Sequence, residues 1–269
     1  MPAPQVAPIQ ISVINASTVL TDDEVRPVVD ALQKQVTNDF RPAWGVDAEL
    51  TFVGSGSPPA PKTWWLSILD DSDQAGALGY HDLTPDGLPI GKVFAATDLK
   101  FGTSWSVTTS HELLEMLGDP NINLTVFVQN DETSGVLYAY EVCDACETDN
   151  FGYQIGNVLV SDFVFPSWFE NFRAAGSTQF DQTNNIQSPL QLLPGGYIGI
   201  FDVNSGSGWQ QKTAEKRPVS LLSRGNVGSR RERRRVIRTH WIPSHPHKEI
   251  ARRAEQYRER LRQILKPAA

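Results

Sequence analysis

Ile9, Ile11 and Val13 alternate with polar or small residues, which is the period of a half-buried strand. Thr21-Asp22-Asp23-Glu24 has the form of a capping box, with acids where the helix dipole favours them. Behind it Val25, Val28, Val29, Leu32 and Val36 form one apolar stripe, predicting a helix to about Phe40. Ala48, Leu50 and Phe52 predict a second strand. The Gly/Ser/Pro stretch 54–61 predicts a loop, and Trp64–Leu69 an apolar strand. Residues 76–81 and 92–96 read as strands around a turn at Pro85-Asp86-Gly87. A helix is then expected over Trp105–Gly118, with Thr103 or Ser104 as N-cap and Gly118 and Pro120 to end it.

Further along, 124–128 and 136–142 are strand-like, and 153–165 holds two short strands around Gly156-Asn157. Pro166-Ser167 opens a short helix, with Ser167 and Glu170 as its capping box. Residues 197–203 form a last strand. A final helix is expected from about His247 to Leu265, where Ile250, Ala254, Tyr257, Leu261 and Ile264 make an apolar seam of about two heptads. No internal repeat interrupts this order. The pattern predicts an α+β domain over 1–215 and a separate extension, 216–269, ending in that helix.

Composition changes the picture in two places. At 269 residues and 40% hydrophobic, the chain can bury a sizeable core. Charge is split: residues 1–210 carry 7 Lys+Arg and 26 Asp+Glu (net −19), whereas 211–269 carry 17 and 5 (net +12). An acidic body and a basic tail are thus expected to have different roles. The tail's run Arg230-Arg231-Glu232-Arg233-Arg234-Arg235 suits docking on an acidic protein surface, the chain's own body included. The less favoured reading is phosphate binding on a nucleic acid, since no stacking pattern or nucleic-acid motif accompanies the run. No apolar run approaches the ~18 residues of a transmembrane helix. The start, Met1-Pro2-Ala3-Pro4, shows no signal-peptide pattern, so a cytoplasmic or particle-associated setting is expected.

The candidate chemistry lies on the Trp105–Gly118 helix. At 100° per residue, Val107, Leu113, Leu114 and Leu117 cover one face, and Thr108, His111, Glu112 and Glu115 the other. The i, i+4 spacing of His111 and Glu115 lets one helix aim two ligands at one metal. Glu112 sits where a general base would act on a metal-activated water. The competing reading is a set of solvated polar residues on an amphipathic helix.

Ser110-His111-Glu112-Leu113-Leu114-Glu115-Met116-Leu117-Gly118 resembles the active-site helix of zincin metallopeptidases, His-Glu-x-x-His, with the later glycine of the metzincin branch. The preceding order of strand, helix, two strands and a hairpin resembles the metzincin N-terminal subdomain. The pair of segments Ser110-His111-Glu112…Glu115…Asp119-Pro120 and Glu141-Val142-Cys143-Asp144-Ala145-Cys146 also resembles zincin-like proteins such as the plant phosphate-induced (exordium-like) group. The resemblance implies a zincin-like mixed sheet with an active-site helix, and a zinc-dependent hydrolase acting on a peptide or protein. It gives Glu112 the role of base and His111 and Glu115 the role of ligands. It also implies an edge strand at the cleft rim, either 76–81 or 92–96, with Tyr80 and His81 as substrate contacts. For His81, beside Asp82, an ordinary turn histidine competes with that role.

The chain departs from the family pattern. Glu115 replaces the second histidine, which adds negative charge and weakens the Lewis acidity of a bound zinc. Asn121 stands where a metzincin places its third ligand, and no methionine lies downstream of Met116. Glu141 or Asp144 is then expected as third ligand, ahead of Asp119, because the helix breaks at Gly118. Alternatively Glu141, Asp144, Glu147 and Asp149 hold calcium through oxygens, or form a solvated acidic loop. Cys143 and Cys146 make half a structural zinc site at most, so a local disulfide or two free thiols is expected. Trp64, Trp65, Trp168 and Phe169 are expected in the core, and 162–169 is a candidate specificity pocket. His240, His245 and His247 have no ligand spacing. The rival to a peptidase is a non-catalytic zincin-like module, structural or partner-binding, on a phage or other particle and anchored by the basic tail.

Overall fold

The computed structural model describes residues 7–73 and 77–214 and is an α+β fold. The expected tail and its terminal helix lie outside the described residues. Five strands form the first sheet: β1 (Ile9–Asn15), β2 (Ala48–Val53), β3 (Trp64–Leu69), β4 (Gly79–Leu83) and β5 (Pro89–Phe94), in the order β2-β1-β3-β5-β4. Pairing is parallel except for β4, which runs antiparallel to β5 at the edge. Parallel strands need crossover connections; the one from β1 to β2 is helical, whereas residues 54–63 lead from β2 to β3 without a helix. The first crossover is α1 (Asp22–Lys34), continued by a π-helical stretch (Gln35–Phe40) and the short α2 (Arg41–Trp44).

α1 begins as its sequence predicts: Thr21 and Glu24 form the reciprocal capping box. Its stripe Val25, Val28, Val29 and Leu32 is buried against the sheet residues Ile11 and Val13 in the main core. Helical geometry persists through Val36 and Phe40, but the wider π turns carry Gln35 inward. There its amide donates to Ser161 O (2.9 Å) and its carbonyl accepts from Ser110 Oγ (2.7 Å). Buried polar groups must be satisfied, and this one ties α1 to the chemically distinctive helix one residue before His111.

Two further helices follow β5. The reading of 92–96 as a strand is corrected: β5 ends at Phe94 and α3 spans Ala95–Phe101, ending at Gly102 with φ 73°. Alanine-rich Ala95-Ala96 favours the helix once β5 has run out of a partner. α4 (Trp105–Gly118) has the boundaries its pattern predicts. Ser104 is extended at the N-cap position, but its hydroxyl pairs with Ser106 rather than capping the helix.

After α4, β6 (Thr125–Gln129), β7 (Gly135–Ala139), β10 (Tyr197–Asp202) and β11 (Trp209–Thr213) form an antiparallel sheet ordered β11-β10-β7-β6. β8 (Tyr153–Ile155) and β9 (Val158–Val160) form the hairpin expected around Gly156-Asn157. β11 has no counterpart among the expected strands. The expected capping box at Ser167 is absent: its hydroxyl donates to Gln179 O, and Pro166–Phe169 is a single 3-10 turn. No helix among the described residues is long and apolar enough to cross a membrane.

Candidate metal centre

α4 is buried on both faces, with 11 of its 14 residues inside. Leu113, Leu114 and Leu117 enter the main core, together with Met116. The opposite face is polar and is covered by β4 and by the segment after β7, so it lines a cleft of about 880 Å³ instead of standing in bulk solvent. This answers the amphipathic-helix alternative: His111, Glu112 and Glu115 are 8%, 5% and 4% exposed.

The helical spacing brings His111 Nε2 within 3.3 Å of Glu115 Oε1. Asp144 joins them, its Oδ1 3.4 Å from the same nitrogen. It reaches the site because Cys143 and Cys146 flank it as buried free thiols in the core, leaving Asp144 turned towards the helix. Burial drives both thiols well above their ordinary pKa, so they stay protonated and apolar in behaviour. Cys143 N–H also donates to Glu115 Oε1 (3.4 Å), which fixes the loop to the helix.

His81 comes from the opposite wall. It is not in a turn: it lies mid-strand in β4, 1% exposed, opposite Gly91 of β5. Strand alternation sends its ring towards α4, with Nδ1 3.6 Å from Glu115 Oε2 and 3.7 Å from Glu112 Oε2, and Nε2 3.9 Å from Glu141 Oε2. Alternation sends Tyr80 the other way. Its ring packs on Phe94, and its hydroxyl meets Asp73 (2.9 Å) and Lys92 (2.6 Å). β4 and α4 approach so closely at Gly79 that a Cβ there would lie 2.7 Å from Glu112 Oε1.

The electrostatics follow from burial. Desolvation opposes the charged form of His111, but Glu115 and Asp144 outweigh it and hold the imidazole pKa well above its usual value. Desolvation likewise opposes ionisation of Glu115, yet His111 and His81 bring it down to about 2. Asp144 is pushed up to about 8 by burial and by the charge of Glu115. Glu147, beside them, is raised by burial. The cleft is thus crowded with acids.

Two compact groups result, His111–Glu115–Asp144 and His81–Glu115–Glu141, each with its ligand atoms within 4.8 Å of one another. Ligands bonded to zinc at ~2.0–2.2 Å and tetrahedral angles lie about 3.3–3.6 Å apart. The contacts of His111 with Glu115 and Asp144, at 3.3 and 3.4 Å, match that spacing, and the second group would have to contract further to close on an ion. These buried His/Glu/Asp groups can hold a metal. Glu147 and Asp149 border the same cleft but belong to neither group, and Asp149 accepts a bond from Ser104 N–H (2.8 Å).

Of the other candidates, Asp119 is buried away from the cleft, its carboxylate accepting from Asn123 and Leu124 N–H (both 3.0 Å). The expected specificity pocket at 162–169 is core instead: Asp162, Phe163, Val164 and Trp168 are fully buried and none borders the cleft. Asp98 is a further buried acid, which no motif or spacing in the sequence marks. It accepts from Thr103 and Thr108 hydroxyls (each 2.8 Å), joining α3 to the first turns of α4, and burial raises its pKa to about 6.

No family model, curated protein or solved structure matches this chain.

Proposed function

We propose that the chain is a metal-dependent hydrolase of peptide bonds, with His111, Glu115 and Asp144 as zinc ligands and Glu112 as general base. The observation that carries this reading is the convergence of those three ligands beside Glu112, in a cleft bordered by the edge strand β4. One nitrogen and two carboxylate oxygens form a donor set that suits zinc with a coordination position left for reaction. Bound there, zinc would supply Lewis acidity and make hydroxide accessible near neutral pH.

The chain's own residues would do the rest. Glu112 follows His111 directly, so its carboxylate is held beside the ligands without being one of that set. It would take the proton of the attacking water and pass it to the departing amine. Among the described residues β4 pairs only with β5, and residues 77–80 border the cleft, so its outer edge is where an extended peptide would lie. Main-chain hydrogen bonds along that edge would hold the substrate across Glu112. Glu115 in place of a histidine lowers the net positive charge at the centre and favours a slow enzyme.

The test is Glu112→Gln in the full chain. Hydrolysis of a mixed peptide library should fall by ~10²-fold or more, in the range of lost acid–base catalysis, while bound zinc stays unchanged. Equal hydrolysis by variant and wild type would remove Glu112 from the mechanism. A wild-type protein that purifies without zinc, takes up none on dialysis and cleaves nothing would favour the non-catalytic module.

A further inference from the structure

We infer that the cleft takes two divalent cations, bridged by Glu115, with His111 and Asp144 completing one site and His81 and Glu141 the other. This rests on the metal-centre reading above and adds a second ion to it.

The geometry of Glu115 is the starting point. Its two oxygens face different histidines: Oε1 is 3.3 Å from His111 Nε2, and Oε2 is 3.6 Å from His81 Nδ1. A carboxylate serving one ion would need only one of these directions. Each histidine has in addition its own second carboxylate: Asp144 faces the same Nε2 of His111 that Glu115 does, whereas Glu141 faces Nε2 of His81 and Glu115 its Nδ1, so an ion there would take one of the two nitrogens after a turn of the ring. Both three-residue groups are compact enough for one ion each, and Glu115 is the only residue they share. Carboxylates that bridge two ions do so with one oxygen on each, and such pairs of ions sit ~3.5–4 Å apart.

Charge points the same way. Glu112, Glu115, Glu141 and Asp144 place four carboxylates in one buried site, and no Lys or Arg among the described residues lines the cleft. Imidazoles that bind metal do so as neutral ligands. One divalent cation at His111, with His81 protonated, would still leave one of the four negative charges unbalanced in a desolvated setting, which is costly. Two divalent cations balance the four carboxylates. The placement of His81 also follows: a histidine buried on an edge strand opposite a glycine, surrounded by acids, is poorly placed as a surface contact and well placed as a ligand.

The experiment counts ions on the full-length protein. Metal is stripped with a chelator, the protein is dialysed against excess Zn²⁺ and then metal-free buffer, and bound zinc is measured by elemental analysis. Two equivalents are expected for the wild type and one for His81→Gln, with circular dichroism checking that the variant is folded. Mn²⁺-loaded wild type gives a readout that needs no variant: a bridged pair shows an exchange-coupled electron paramagnetic resonance spectrum, and an isolated ion shows a six-line one. One zinc in the wild type with a six-line manganese spectrum overturns the second site and leaves the proposed hydrolase centre standing. No zinc at all removes both. Two zinc ions in a folded His81→Gln variant would place the second ion elsewhere and overturn the assignment to His81.

Discussion

The buried carboxyl pair Asp162–Asp181 gives a prediction that depends on the fold alone. Both residues are fully buried. Burial, then the hydrogen bond and charge of Asp181, raise the Asp162 pKa from 3.8 to about 8, against the opposing hydrogen bonds from Thr183 and Phe163. Asp162 is therefore protonated in the native protein over a range where the unfolded chain has lost that proton. Stability from this group is complete below about pH 4 and is lost as pH rises towards 8, at about 1.4 kcal/mol per pH unit. The ceiling is about 6 kcal/mol, and relaxation of the site in the charged state will lower it. Asp162→Asn is neutral at every pH. Its oxygen can still accept from Phe163 and Thr183 N–H, and its amide can donate to Asp181 in place of the shared proton. It gives up the bond from the Thr183 hydroxyl (2.7 Å), worth about 1 kcal/mol. The variant should be slightly less stable than wild type at pH 4.5 and more stable by at least about 2 kcal/mol at pH 8. Urea unfolding followed by tryptophan fluorescence, in a pH series with chelator throughout, measures the difference. A difference that stays flat from pH 4.5 to 8 would refute the assignment of a native-state proton to this pair.

Four other outcomes follow from the same structure. Gly79→Ala places a methyl 2.7 Å from the Glu112 carboxylate; displacing the base by about 1 Å should lower peptide hydrolysis by ~10²-fold with zinc content unchanged, read by kinetics and elemental analysis on one preparation. Glu112→Gln should lower turnover by ~10²-fold or more and leave the metal in place. Leu113→Ala removes a fully buried side chain from the main core and should cost about 2–5 kcal/mol in denaturant unfolding. Chelation should lower the melting temperature of wild type, because a ligand bound only by the native state stabilises it by mass action; the same chelator should have little effect on Glu115→Gln if that residue anchors the metal.

Local sequence rules carried the parts of this protein that local forces decide. The 3.6-residue period set the limits of α4 at Trp105–Gly118 and placed His111, Glu112 and Glu115 on one face, because side-chain direction in a helix depends only on spacing. Thr21 and Glu24 predicted the start of α1, since a capping box satisfies backbone groups within four residues. Trp64–Leu69 was legible as a strand from its apolar run. Glu141 and Asp144 could be named as acids near the helix, but their separation onto two different histidines could not. That division depends on how Cys143 and Cys146 seat in a core built from distant segments. His81 shows the limit most clearly. Its position follows from β4 pairing antiparallel with β5 in a register that sets it opposite Gly91 and turns its ring onto a helix about thirty residues later. A one-residue slip in that register would have sent the ring to the other face. Sheet register and helix-on-sheet packing are long-range choices, made by the whole core at once, so the chain read alone supplied the helix and its polar face while the tertiary structure decided what meets them.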